Sequence, residues 1–197
     1  MKKGYLLCFC FLAICLTATA QKKKSKFSIK TQDELLNYLN EYSVDYDKED
    51  LMVLNDVKTF LNYLQEEKIT IPSAYFFNKN GYRVSQEYTG DRCGQVISRP
   101  EEMNMVSFDE NDSINEWLKD YTFFFEGESF DDNTEYDSYV IICWASFLHK
   151  KSNRTSFNWY KSIKENKDLK IKPILLSLDL LSDWEMTDLH RKAFGLQ

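Results

Sequence analysis

The chain has 197 residues, a formal net charge of −6 and a hydrophobic share of 43%. This length and share suit one globular domain with a core of its own. The acidic balance argues against a nucleic-acid partner, because contacts to phosphate groups need basic patches.

The first twenty residues have the pattern of a secretory signal peptide. Lys2 and Lys3 give a positive start, residues 5–16 are almost wholly apolar, and residues 18–20 form a small-residue cleavage site before Gln21. The apolar run is shorter than the about 20 residues that span a bilayer. We therefore expect an exported protein, periplasmic or extracellular, without stable membrane insertion after cleavage. An uncleaved N-terminal anchor is one alternative, and a lipid-modified Cys15 is a second, disfavoured because Ile14 and not a small residue precedes it. The lysine-led start and the Ala-Gln junction are typical of a bacterial source, of the Bacteroidota type.

Cleavage would change the charge and the cysteine count. The remaining 177 residues carry a net charge of −8 and keep only Cys93 and Cys143 of the five cysteines. Two cysteines cannot form the disulfide framework of a small secreted protein, so at most one bridge is expected. The lysines of residues 22–26 would lie in a solvated basic leader, residues 21–30.

Residues 31–125 predict an N-terminal α/β half. Thr31 and Glu34 have the spacing of a capping box that starts a first helix. The apolar residues 51–54 predict a buried strand, and Asp56 is placed to cap a second helix.

A β-hairpin and another helix complete this half. Strand-like residues 74–77 and 82–84 flank a segment that ends in Asn-Gly, and this dipeptide favours a tight hairpin turn. Ser113 and Glu116 form a second capping-box pattern, for a helix expected to carry Trp117, Leu118 and Tyr121.

The acidic residues 126–137 predict a loop, followed by a C-terminal βαβ half over residues 138–197. The continuous apolar run 139–145 is typical of a central strand buried on both faces. A helix with Phe157, Tyr160 and Ile163 facing inward and a second strand over residues 174–178 complete a right-handed parallel unit. A last helix is predicted to begin at Ser182 and to end near Gly195. The predicted fold class is α/β, with a central sheet flanked by helices.

Residues 139–184 resemble the first half of thioredoxin-like proteins, especially exported bacterial thiol-disulfide oxidoreductases. In that family a buried strand leads into a Trp-Ala-Ser-Trp-type motif and a Cys-x-x-Cys pair at the start of a helix. Here the motif is Trp144-Ala145-Ser146-Phe147, and Leu148 and Lys151 stand where the cysteines would be. Ser177-Leu178-Asp179, followed by Trp184, is similar to the next strand of the family and its exit.

Residues 51–84 resemble the second half of the family: a strand, a helix, a proline and a hairpin. In the family this proline is cis and faces the redox pair, and Pro72 occupies the matching place. Because the halves stand in reverse order, the resemblance implies a rearranged thioredoxin-like sheet or an additional N-terminal α/β unit.

The missing Cys-x-x-Cys pair removes dithiol chemistry, which needs an attacking thiolate and a resolving thiol. The resemblance therefore implies a redox-inactive module of the cell envelope that binds a peptide or protein. Its site would be lined by five residues of the motif and of the proline segment: Ile71, Pro72, Trp144, Phe147 and Leu148. No cofactor is implied.

The remaining thiols support a second hypothesis, a thiol-dependent oxidoreductase or redox accessory protein that uses Cys93 with or without Cys143. Cys93 follows Arg92 in a glycine-flanked stretch before a predicted short helix, and both features favour the thiolate. Cys143 lies in a buried-strand pattern, where cysteine acts as a small hydrophobic residue. The isolated His149 and His190 give no zinc-site pattern, and no metal is expected.

Overall fold

The computed structural model describes residues 27–84, 91–99, 107–129 and 135–196. The predicted signal peptide, the lysines at residues 22–26 and part of the predicted acidic loop lie outside these ranges.

Strands and helices alternate along the described chain. The strands are β1 (Ile29–Lys30), β2 (Leu51–Leu54), β3 (Ser73–Asn78), β4 (Tyr82–Val84), β5 (Phe108–Ser113), β6 (Tyr121–Phe123), β7 (Ser138–Trp144), β8 (Ile171–Ser177) and β9 (Leu180–Leu181). The helices are α1 (Gln32–Glu41), α2 (Val57–Gln65), α3 (Asp91–Ser98), α4 (Ile114–Leu118), α5 (Lys150–Lys164) and α6 (Asp188–Ala193), with a 3₁₀ turn at Lys48–Asp50.

Seven of the described strands form one mixed sheet in the order β5-β4-β3-β7-β8-β2-β6. The strands β7, β8 and β2 are parallel, and the remaining pairings in this sheet are antiparallel. The short strands β1 and β9 form a separate parallel pair. The predicted α/β class, a central sheet flanked by helices, is confirmed, and the arrangement is consistent with a thioredoxin-like sheet.

Both halves of the chain contribute to this one sheet. The predicted βαβ unit is β7-α5-β8, with Ile141 of β7 opposite Ile174 of β8. Strand β3 of the N-terminal half pairs antiparallel with β7, from Ser73 opposite Cys143 to Asn78 opposite Ser138. A central strand of each half therefore lies beside one of the other half.

Aromatic side chains pack the helices onto the two faces of the sheet. On one face, Trp144 stacks on Tyr38 of α1 at 5.8 Å between ring centroids and packs on Phe157 of α5 at 5.6 Å. On the other face, Tyr75 contacts Trp117 of α4 at 4.7 Å. Burial of each large apolar side chain stabilises the fold by about 1.5–3 kcal/mol, so these layers hold the strand ends in place.

A buried ion pair lies within this core. Lys172 of β8 and Asp50 are each 2% exposed, and Lys172 Nζ donates to Asp50 Oδ1 at 2.8 Å and to Glu49 Oε1 at 3.0 Å. The hydroxyl of Tyr160 donates to the other oxygen of Asp50 at 2.7 Å. Burial disfavours the ammonium group, but the hydrogen bonds and charges of Asp50 and Glu49 outweigh it and raise the pKa of Lys172.

The local caps and the hairpin follow the sequence closely. Thr31 and Glu34 form the predicted capping box, and Asp56 accepts from the Thr59 amide at 2.7 Å. In the hairpin turn, Gly81 has a φ of +78° and its amide donates to the carbonyl of Asn78. The turn uses positive φ at the glycine alone, not at both residues of the Asn-Gly dipeptide.

Two helix boundaries differ from the sequence predictions. The last helix begins after Thr187, not at Ser182, because the amide of Ser182 donates to the carbonyl of Lys30 and continues the β1–β9 pairing. The helix capped by Ser113 ends at Leu118, and Tyr121 instead starts β6 opposite Leu54. In both places pairing with a distant strand overrides a local helical pattern.

Candidate functional site

The carboxyl ends of the parallel strands β2, β8 and β7 lie at one edge of the sheet. In open α/β sheets the loops at this edge form the usual binding crevice. Residues 145–149 leave β7 here and lead into α5. Because Ser73 lies opposite Cys143, the register brings Ile71 and Pro72 to the same edge. The Ile71–Pro72 peptide bond is cis.

A buried asparagine anchors the loop after β7. The side chain of Asn153, from α5, accepts from the Ala145 amide at 3.1 Å and donates to the Ala145 carbonyl at 2.7 Å. Its amide group also donates to the hydroxyl of Tyr38 at 2.7 Å. These contacts fix the main chain at Ala145 in one position. Sequence reasoning missed Asn153, although a polar residue on the inward face of an amphipathic helix is a usable signal.

A buried carboxylate ties the loop to the next strand. Asp179 is 1% exposed, and Ser146 donates to it twice, from the amide at 2.8 Å and from the hydroxyl at 2.6 Å. Ser177 adds a third hydrogen bond at 3.1 Å. Burial raises the pKa of Asp179, and the bonds from Ser146 and Ser177 offset part of that shift. Sequence reasoning noted Asp179 only through the family resemblance and assigned it no role.

The predicted site residues divide into an accessible group and a buried one. Ile71, Pro72, Phe147 and Leu148 are half-buried and keep part of their surface exposed. Trp144 is 1% exposed, because its ring packs between α1 and α5. It supports the site from the core but offers no surface for a ligand.

The segment before β1 reaches the motif loop. The ring of Phe27 lies 5.0 Å from that of Phe147, 5.6 Å from Phe60 of α2 and 5.7 Å from Phe194. This aromatic cluster covers one side of Phe147. The accessible apolar surface at this edge is therefore provided mainly by the proline segment and Leu148.

Both thiols in the described residues are buried. Cys93 and Cys143 are each 1% exposed and are not bridged to each other. Burial raises the pKa of Cys143 to about 12, and the nearby Cys93 adds to the shift. Thiol exchange requires an accessible thiolate, and this arrangement disfavours one.

The position of Cys93 corrects the expectation that this residue precedes a short helix. It lies inside α3, and its sulfur contacts the carbonyl oxygen of Ala74 in β3 at 3.9 Å. A Cβ built on the next residue, Gly94, would lie 3.4 Å from Nε1 of Trp159 in α5. The close packing of α3 on α5 and on the sheet therefore takes the thiol out of solvent.

The histidines and carboxylates of the described chain do not converge. His149 is exposed just before α5, and His190 accepts from the amide of Thr187 at 3.4 Å in a capping box. Within the described ranges no cluster of three His, Cys, Asp or Glu side chains could hold a metal ion. Nor does any helix in the described part combine the length and apolar character needed for a membrane crossing.

No protein-family model, no curated protein and no solved structure matches the chain.

Proposed function

We propose that this protein is an exported thioredoxin-like module without dithiol redox chemistry, which binds a peptide or protein partner in the cell envelope. The observation that carries the proposal is the composition of the edge formed by the ends of β7, β8 and β2. Half-buried apolar residues lie there, in the loop after β7 and in the separate segment before β3. Both described thiols, in contrast, are buried.

The preorganised loop supports a binding role. Asn153 and Asp179 hold Ala145 and Ser146 through four hydrogen bonds of 2.6–3.1 Å. The Asn153 side chain accepts from the Ala145 amide and donates to the Ala145 carbonyl, and the amide and hydroxyl of Ser146 both donate to Asp179. Ser177 also donates to Asp179. A rigid loop loses little conformational entropy when a partner docks, which favours affinity. Leu148 and Pro72 supply apolar contact surface on this frame.

Export is supported by the signal-peptide pattern of residues 1–20 alone. Fractionation of the native host, or of a bacterial host that expresses the full chain, would test it. We expect the protein outside the inner membrane, with the intact mass of a chain that begins at Gln21. A cytosolic protein that retains Met1 would overturn the export proposal.

Binding at the edge that carries residues 145–149 and the Ile71–Pro72 segment, which we call the motif edge, is tested by selection of peptides from a displayed random library, followed by affinity measurement by fluorescence anisotropy. We expect Leu148→Asp to weaken the selected peptides by about tenfold or more, as loss of a central apolar anchor does. Phe108→Asp is the matched control, because Phe108 is exposed on β5, two strands away from β3. Equal effects of both substitutions, or selection of no peptide, would overturn the proposed binding site.

The thiol-dependent alternative has its own test. A Cys93→Ser variant should match the wild type in a thiol-disulfide exchange assay with an insulin substrate, both at background level. Exchange that is above background and lost in the variant would favour the oxidoreductase hypothesis.

A further inference from the structure

Two adjoining cavities form one groove beside the motif edge. One has a volume of about 460 Å³ and the other about 610 Å³. Both are lined by Val53, Thr122, Leu181 and Asp183, so they adjoin at the end of β2, the strand β6 and the segment after β8. Each volume falls in the range of about 300–1,000 Å³ that is typical of ligand pockets. We call this feature the acidic groove.

The acidic groove combines apolar walls with an unbalanced negative rim. Its apolar walls are provided mainly by the half-buried Phe123 and Phe125, with smaller contributions from Leu181 and Trp184, which are 8% and 9% exposed. Its charged lining residues are the four acids Asp56, Glu126, Asp183 and Glu185 and the single base Lys58.

Three of the four rim carboxylates have no ion-pair partner among the described residues. Asp56 accepts from the amide of Thr59 as a helix cap. Glu126, Asp183 and Glu185 are exposed, and none forms an ion pair with another described residue. An uncompensated negative rim around an apolar groove attracts a ligand with separate positive charges and an apolar body.

The separation of the carboxylates favours a ligand with several separate positive charges over a single metal ion. The described residues contain no group of three acidic, cysteine or histidine side chains that could ligate one ion. Lysine and arginine side chains on an extended peptide can instead reach carboxylates one at a time, while neighbouring apolar side chains occupy the groove.

We propose that the acidic groove binds an extended segment of a partner protein that carries lysine or arginine residues next to an aromatic or aliphatic residue. This inference rests on the proposed peptide-binding function and names the chemistry of its partner. The basic side chains would lie on Asp183 and Glu185, and the apolar residue between Leu181 and the β6 edge.

The test uses the full chain and synthetic peptides of matched length in fluorescence anisotropy. The peptides carry a central phenylalanine flanked by lysines, by glutamines or by glutamates. We expect the lysine peptide to bind about tenfold more tightly than the glutamine peptide at about 50 mM salt, and the difference to shrink at about 500 mM salt. The glutamate peptide should not bind.

Matched variants locate the site. Asp183→Asn/Glu185→Gln should weaken the lysine peptide by about tenfold, because rim charges act directly on the ligand. Glu41→Gln/Asp168→Asn changes the net charge equally at exposed positions outside the groove and should leave binding unchanged. Equal losses in both variants would show a nonspecific charge effect and would overturn the inference.

Three further outcomes separate this inference from the proposed function. If Leu148→Asp weakens peptide binding while the Asp183/Glu185 variant does not, the acidic groove is excluded and the motif edge stands. If the lysine peptide binds only after Lys22, Lys23, Lys24 and Lys26 are replaced by glutamine, the protein's own basic leader occupies the groove and the partner proposal is wrong. If none of the three synthetic peptides binds while the library selection yields peptides that depend on Leu148, the acidic groove fails and the motif edge stands; if the selection yields none either, both proposals fail.

Discussion

The hydroxyl of Ser146 donates to Oδ1 of Asp179 at 2.6 Å, and the Ser146 amide donates to the other carboxylate oxygen at 2.8 Å. These two bonds join the loop after β7 to the end of β8. Asp179 is 1% exposed. Ionisation of the carboxyl group that anchors this loop is therefore costly.

Asp179 should make stability depend on pH. Burial raises its pKa in the folded state above the unfolded value of about 3.9, so the folded state binds the proton more tightly. The free energy of unfolding should therefore fall as the pH rises from about 4 through the raised pKa. Asp179→Asn removes this titration, and urea unfolding between about pH 4 and pH 8 should show a smaller fall than in the wild type.

The control for that experiment is Asp168→Asn, at an exposed position. It should keep the pH profile of the wild type. Part of the fall should persist in Asp179→Asn, because burial also raises the pKa of Asp50. A profile for Asp179→Asn as steep as that of the wild type would contradict the assignment.

Replacing only Lys172 of the buried Lys172–Asp50 pair should lower the free energy of unfolding more than replacing both residues does. Lys172→Met leaves the Asp50 carboxylate buried without its cation, which should cost about 3–5 kcal/mol in the free energy of unfolding. Asp50→Asn/Lys172→Met removes both charges and should be less destabilised than Lys172→Met. Chemical denaturation measures these two variants and Asp50→Asn alone, and a double variant as destabilised as the sum of Asp50→Asn and Lys172→Met would show that the two residues are not coupled.

The two thiols should resist modification in the native protein. We expect iodoacetamide to leave Cys93 and Cys143 unlabelled at neutral pH, and to label both in concentrated guanidinium without prior reduction. Mass spectrometry of peptides separates the two sites. Rapid native labelling of Cys93 would contradict its burial, and a requirement for reductant in guanidinium would reveal a bridge between the two cysteines.

Two glycines with similar backbone angles should differ in their tolerance of alanine. Gly81 has a φ of +78° and Gly127 a φ of +83°, so alanine at either position incurs the left-handed penalty of about 1–2 kcal/mol. At Gly81 the new Cβ would also lie 2.9 Å from Cγ2 of Ile114, whereas at Gly127 nothing lies within 4 Å. Gly81→Ala should therefore lower the thermal midpoint more than Gly127→Ala does. Equal shifts would mean that Ile114 moves freely.

Local patterns predicted the elements whose signals are contained in a few neighbouring residues. The capping box at Thr31, the cap at Asp56 and the β3–β4 hairpin are of this kind. The strands β5 and β6 gave no such signal, because β5 is the polar sequence Phe-Asp-Glu-Asn-Asp-Ser and β6 has three residues. Both are edge strands of the described sheet, stabilised by the neighbours they pair with.

The apolar residues of the candidate site could be predicted from the sequence. The polar residues that hold the loop after β7 in place could not. The resemblance placed Pro72 and Leu148 in a common site, and the register brings them to one edge of the sheet. The bond from Ser146 to Asp179 spans 33 positions, and that from Asn153 to Tyr38 spans 115. Contacts at such separations depend on the strand order, which the sequence pattern alone does not determine.

The strand order also has a consequence for folding during synthesis. Strands β2 and β3 are made early in synthesis, yet β7 and β8 lie between them in the sheet. Strands β2 and β3 therefore lack their neighbours β8 and β7 until the last third of the chain has left the ribosome. Strand pairs that are so far apart in the sequence form slowly. A chain that completes its sheet only when its final strands are made would still be unfolded during the transfer across a membrane that the proposed export requires.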